Sequence, residues 1–342
     1  MPEWSVTEPR NLTFNDPVTA LHVRIVNGTV NVVGTDEGSP RLEVSDIEGP
    51  PLTVTQEDGT LTVAYDDLPW KGFLKWLDRK GWRRNALISL TVPARTRVEV
   101  GVIGATAVVS GLDGRTEVKG VSGDATLVGL SGPVRATTVS GNVEAQAVTG
   151  DLRLNSVSGD LTVIEGSCPA VKADSVSGSI ILDLDPTSSP TDVGLTSVSG
   201  EIAIRLPHPA DAEVEANTAS GTIANAFDDL RVSGPWGAHK ITGRLGEGKG
   251  KLRATTISGS IALLRRPPSE DDSPTTPTSA TSANSPTFQA AANSPTPSPS
   301  STPSPPSTPS NSSNLPEPED PKPAGTGSDE NASDGTTDKK VL

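Results

Sequence analysis

Few residues in this chain of 342 have the side-chain chemistry for catalysis. A hydrolytic triad needs a nucleophile, a base and an orienting group held together. The three histidines, His22, His208 and His239, stand in unrelated contexts with no motif around them, so they read as ordinary surface or loop residues. The single cysteine, Cys168, leaves no intrachain disulfide and no Cys-pair metal site, and it fits a reducing compartment. No His or Cys pair has ligand spacing. No Gly-x-x-x-x-Gly-Lys-[Ser/Thr] loop is present to cradle phosphates. No metal and no cofactor are expected.

Carboxylates offer the one enzyme hypothesis with a mechanism. Asp124, Asp151 and Asp160 each follow a glycine, and Asp174 lies nearby. On a stack of coils Asp151 and Asp160 are expected to align along one edge, and paired carboxylates cleave glycosidic bonds. That reading predicts a groove in which the four acids converge, with aromatic platforms for sugars. Against it, the equivalent positions elsewhere are Asn142, Ser179, Glu201, Thr222 and Ser260. Mixed polar residues on an exposed corner explain the set more simply. A non-enzyme is expected, with a carbohydrate-active enzyme on a β-helix as the alternative.

The strongest interaction signal is the stretch 66–84. Asp66 or Asp67 can cap a helix, Pro69 suits its first turn and Gly81 its end. At helical spacing Trp70, Phe73, Leu74 and Leu77 share one face, opposite Lys71, Lys75 and Arg79, and Trp76, Trp82, Arg83 and Arg84 complete the set. Tryptophan beside lysine and arginine on an amphipathic helix suits an anionic membrane surface or a protein partner. Capping the open end of a repeat stack is the competing role. The expected localisation is cytoplasmic, with peripheral membrane attachment, or else export by a non-Sec route. The start, Met1 to Pro9, has neither a basic nor an apolar leader region, and no window of apolar residues is long enough to span a bilayer.

What must position these residues is a repeat. Val139-Ser140-Gly141-Asn142-Val143 recurs, with variation, as Val148 to Leu154, Val157 to Val163, Val176 to Leu182, Val198 to Ile204, Ala219 to Asn225 and Ile257 to Leu263. Ser/Thr-Gly pairs fall at 122, 131, 140, 149 and 158, so two nine-residue steps make one coil of 18 residues. Later pairs at 177, 199 and 220 continue the coil with longer corners. Short alternating runs form the strands, glycines at positive φ turn the corners, and the flanking aliphatics fill a narrow core. One coil cannot bury enough to be stable alone, so neighbours must stack.

The fold class is therefore all-β, a β-solenoid of stacked short strands with one amphipathic helix; a β-sandwich is the alternative, since closely spaced short strands signal it too. Leu21 to Val33, with Asn27-Gly28 between two alternating runs, reads as a hairpin or a corner. The echo between Leu90-Thr91-Val92-Pro93 and Ile204-Arg205-Leu206-Pro207 suggests that coiling begins before residue 100. The organisation expected is a β segment over 1–65, the helix over 66–84, the solenoid over 85–266 and a tail over 267–342. Sixteen of the 31 prolines lie after Arg266, among Ser, Thr and acidic residues, so that tail is expected to be disordered. The formal charge of −14 argues against nucleic-acid binding through phosphate neutralisation.

The [Val/Ala/Ile]-[Ser/Thr]-Gly-x-[Val/Leu/Ile] units from about 104 to 264, with Val26-Asn27-Gly28-Thr29-Val30 before them, resemble a bacterial toastrack-type, adhesin-like β-strand-repeat family of unknown function. The resemblance implies a solenoid-like fold and no established catalytic residue. It also implies a scaffold or binding role, in cell-envelope sensing or adhesion. Relatives attached to membrane spans differ from this chain, in which no span is found.

Overall fold

The computed structural model describes residues 2–65, 84–186, 190–234 and 239–266. All of them fall in one compact unit, Met1–Thr276; the remaining unit, Pro277–Leu342, lies outside the described residues, as does the tail expected from 267. Among the described residues every regular element is a strand. The helix expected over 66–84 lies outside them, except for Arg84.

The strands form two facing sheets, one of 14 strands and one of 12 among the described residues. Each coil gives one strand to each sheet, and successive coils stack in parallel. The shift of 18 residues is visible in the register: Ala107 pairs with Ala125, Ala125 with Val143 and Val143 with Leu161. On the other sheet Thr116 pairs with Val134 and Val134 with Leu152. The architecture is thus a flattened solenoid, and the sandwich alternative holds only in that two sheets enclose one core.

Alternation sets what that core contains. In Leu152–Ser156 and Leu161–Gly166, Leu152, Leu154, Leu161 and Val163 point inward and are buried. The same phase brings Thr138, Ser156, Ser175, Ser197, Thr256 and Thr218 inward at one corner, where each hydroxyl accepts the amide of the glycine three residues on, at 2.8–3.1 Å. A buried polar group needs a partner, and this one is built into the repeat.

The repeat glycines are needed for a different reason from the one expected. Gly123, Gly141, Gly159, Gly178 and Gly200 are absent from the positive-φ residues. Their role is close approach: a Cβ on Gly159 would lie 1.9 Å from the carbonyl oxygen of Gly141, and one on Gly178 2.0 Å from that of Gly159. Coils can stack at strand spacing here only where the side chain is a hydrogen.

Sequence order and spatial order part company at both ends. The last coil, Gly250–Thr256 with Ile261–Arg265, lies between the coil of Asp192–Ser197 and Ile202–Leu206 and the coil of Ala212–Thr218 and Ile223–Asn225. The pair at Ser220 therefore stacks on the unit at Ile257, and not on that at Ser199. At the other end the coil of Thr60–Ala64 and Asn85–Pro93 sits between Leu52–Glu57 with Arg41–Glu48 and Ala20–Ile25 with Asn27–Thr35. Antiparallel strands finish both ends, and Trp4 packs edge-on against Phe14 with ring centres 5.4 Å apart. Both sheets run unbroken from the 1–65 segment into 85–266, since Ala20–Ile25 pairs with Arg97–Val102 and Asn27–Thr35 with Thr106–Ser110. Coiling thus begins at Ala20, as the echo suggested, and Asn27-Gly28 stands at a corner.

Candidate binding edge

Where the chain leaves the 14-stranded sheet for the 12-stranded one, the corner reads buried hydroxyl, aliphatic residue, serine, glycine. The serine hydroxyls donate to carbonyls one coil back: Ser140 to Val121, Ser158 to Val139 and Ser177 to Val157, each at 3.1 Å, and Ser258 to Val198 at 3.2 Å. Just past the glycines a second ladder forms. Asp124 accepts the amide of Asn142 at 2.8 Å, Asn142 that of Asp160 at 3.0 Å, and Asp160 that of Ser179 at 2.8 Å.

With those polar groups satisfied by the backbone, the aliphatic residue is left on the outside. Val139, Val157, Val176, Val198 and Ile257 are 37%, 48%, 47%, 41% and 56% exposed, and they stack coil upon coil. Strand spacing puts neighbours about 4.8 Å apart, which makes the five one ridge about 19 Å long. Isolated exposed aliphatics are ordinary, whereas a contiguous row is the kind of surface that marks contact. Further along the same column Val26 and Ile103 are buried. The sequence reading assigned these aliphatics to the core. The signal that corrects it is phase: strand alternation carries Leu154 and Ser156 inward and so turns Val157 outward.

Of the contact residues expected from the sequence, Trp70, Lys71, Phe73, Leu74, Lys75, Trp76, Leu77, Arg79, Trp82 and Arg83 lie outside the described residues, and Arg84 is within them. Arg84 and Tyr65 flank the same type of corner as the ridge, four coils from Val139. The Arg84 guanidinium sits over the Tyr65 ring, 5.3 Å from its centre, and the Arg84 carbonyl accepts the backbone and side-chain amides of Asn27 at 3.2 and 3.3 Å. Burial raises the Tyr65 phenol above its ordinary range, with Arg84 opposing.

The catalytic candidates do not assemble. Asp124 and Asp160 share the corner ladder, with the Asn142 coil between them. Asp151 stands at the opposite corner, before Leu152–Ser156 of the 14-stranded sheet, so the expected Asp151–Asp160 alignment is corrected. Asp174 faces outward beside Lys172 at 3.5 Å. His22 lies on the outer face of Ala20–Ile25, its pKa lowered by burial against the pull of Glu99. Among the described residues no group of three His, Cys, Asp or Glu could hold a metal ion. Cys168 is buried, its thiol donates to the Val148 carbonyl at 3.2 Å, and burial pushes its pKa up to about 12. Such a thiol is no nucleophile near neutrality.

The displaced final coil also leaves a cavity of about 300 Å³ between corners, lined by Leu184, Pro186, Pro190, Leu206 and Pro207. Its two carboxylates are engaged, Asp185 with Arg266 and Asp211 with the Lys249 amide at 3.0 Å. Beside it Asp183, 4% exposed, accepts Arg205 Nε at 2.8 Å.

The sequence model of the family described as Toastrack DUF4097 matches residues 18–264. The chain belongs to the Toastrack family. No curated protein matches it. Three of the similar solved structures are each named only as putative. The cell adhesion protein of Clostridium sporogenes is 13% identical, with a TM-score of 0.25, and 76% of this chain covers 100% of that one. For the adhesin of Bacteroides fragilis the values are 14%, 0.41, 75% and 96%, and for the lipid binding protein of Parabacteroides distasonis 13%, 0.44, 76% and 97%. The Toastrack match spans all the coils from Ala20 to the final one.

Proposed function

We propose that this Toastrack protein is a non-enzymatic binding scaffold whose contact surface is the edge carrying Val139, Val157, Val176, Val198 and Ile257. The observation that carries the reading is this ridge of exposed aliphatics, on the same edge as Tyr65 and Arg84. Those two residues flank the Trp- and Lys/Arg-rich stretch from Trp70 to Arg83. An exposed apolar edge, in a chain that also carries a stretch rich in tryptophan, lysine and arginine, suits an anionic membrane surface. Flotation of the full chain with vesicles containing phosphatidylglycerol tests it. The protein rises with the vesicles, and both Trp76→Ala/Trp82→Ala and Val157→Ser/Val176→Ser leave more of it at the bottom. A wild-type chain that stays at the bottom ends the membrane reading.

A protein partner is the second reading, favoured by Asp124, Asp160 and Glu201 beside the ridge, which repel anionic lipid. A cytoplasmic, membrane-peripheral location goes with the first reading. Recovery of tagged protein only from the medium would instead favour an exported adhesin.

A further inference from the structure

The outer face of the 14-stranded sheet carries a second surface, distinct from the ridge. Register places Glu99, Glu117, Arg135, Arg153, Lys172, Gly194, Arg253 and Glu215 in one outward column, one residue per coil. The acids at its start are held by Lys119, which reaches both Glu99 and Glu117 at 3.0 Å. Glu215 at its end pairs with Lys240 at 2.9 Å and Arg253 at 3.5 Å. Between them Arg135 and Arg153 are exposed and make no ion pair or side-chain hydrogen bond among the described residues. Like charges directly opposite on neighbouring strands destabilise a sheet. In a chain with 42 acidic residues against 28 basic ones, a file of adjacent cations is a cost that Glu117 beside Arg135 and Asp174 beside Lys172 offset only at its two ends, leaving Arg153 between two cations.

Two features narrow what would offset that cost. The adjoining outward column is Thr137, Asn155, Asp174, Thr196 and Thr255, so hydroxyl and amide groups run beside the cations except at Asp174, whose carboxylate pairs with Lys172 at 3.5 Å. At Gly194 a Cβ would meet nothing within 4 Å, which leaves the face flat and open between Lys172 and Arg253. Arg135, Arg153 and Lys172 stand about 4.8 Å apart in single file, and Arg253 lies two strand steps beyond Lys172, about 19 Å from Arg135.

We propose that this column binds a linear polyuronate, a sugar polymer with one carboxylate per unit. The guanidinium forks of Arg135 and Arg153 take carboxylates in two-point fashion, while Lys172, already paired with Asp174, only adds positive charge at the end of the file. The neighbouring threonines and Asn155 meet the sugar hydroxyls. A nucleic acid fits less well, because no aromatic side chain stands in either column for a base to stack upon.

Affinity electrophoresis of the full chain through gels containing polygalacturonate, with dextran and polyphosphate gels in parallel, tests the proposal. Retardation appears in polygalacturonate and not in dextran, weakens as salt is raised, and falls at least about tenfold in affinity, ~1.4 kcal/mol, in Arg135→Gln/Arg153→Gln. Val157→Ser/Val176→Ser leaves it unchanged, which separates this surface from the edge proposed above. Circular dichroism melting establishes that each variant is folded. No retardation of the wild type at low salt, unaltered retardation of the folded arginine variant, or equal retardation by dextran overturns the proposal. So does polyphosphate retarding the chain as strongly with the same arginine dependence, because that marks a general attraction for anions.

Discussion

Gly159 stands over Gly141 so closely that a Cβ on the upper residue would be 1.9 Å from the carbonyl oxygen of the lower one. The clash is with backbone, and the backbone is fixed on both sides by parallel pairing, so no side-chain rotation relieves it. Gly159→Ala is therefore expected to cost about 2–4 kcal/mol, read as a lower midpoint in urea. Gly194→Ala is the contrast. Its Cβ would meet nothing within 4 Å in a strand interior, and it should be neutral or stabilise by up to about 1 kcal/mol. Equal destabilisation by the two would refute the account of the repeat glycines as close-approach residues.

Much of this architecture was legible in the sequence, and the parts that were not share a physical cause. The nine-residue spacing of Ser140, Thr149 and Ser158 gave the 18-residue coil because alternation and corners are local. The same spacing hid that successive pairs belong to opposite corners, which is why Asp151 and Asp160 looked aligned. The role of Gly159 is not legible from one repeat, because positive φ is a property of one residue, whereas close approach needs its neighbour 18 positions back. The insertion of Gly250–Thr256 beside Asp192–Ser197 involves residues nearly sixty apart, and no periodicity carries that. The ridge was readable from phase, and the cation column needed only coil alignment, which the sequence supplied for Arg135 and Arg153.

Cys168 ties pH to stability. Its thiol is pushed from an ordinary 9.0 to about 12 by burial, with Asp151 adding to the shift. A folded pKa above the unfolded one means that the native state holds the proton more tightly. The stabilisation is complete below about pH 9 and is lost as pH rises from there towards about 12. The melting temperature should fall across that window, and by less in Cys168→Ala, which begins from a lower value because it leaves a small cavity. In native protein at pH 8 the thiol should also resist iodoacetamide, which reacts once urea unfolds the chain. Rapid native alkylation would contradict the buried, hydrogen-bonded placement.

Asp183 has its outward position on the 12-stranded sheet yet is only 4% exposed, because Arg205 from the next coil and Arg266 cover it. A carboxylate taken from water depends on its cations, so removing one partner costs more than the pair contributes net. Arg205→Ala should destabilise by about 2–3 kcal/mol, somewhat below the usual cost of breaking a buried pair because Arg266 remains nearby. Replacing both partners, as Asp183→Leu/Arg205→Met, removes the stranded charge and should recover most of that loss. Urea unfolding of Arg205→Ala and of the double variant reads the difference directly. If the double variant is less stable than Arg205→Ala, the ion pair contributes net stability to these coils, and desolvation is not what makes Asp183 dependent on Arg205.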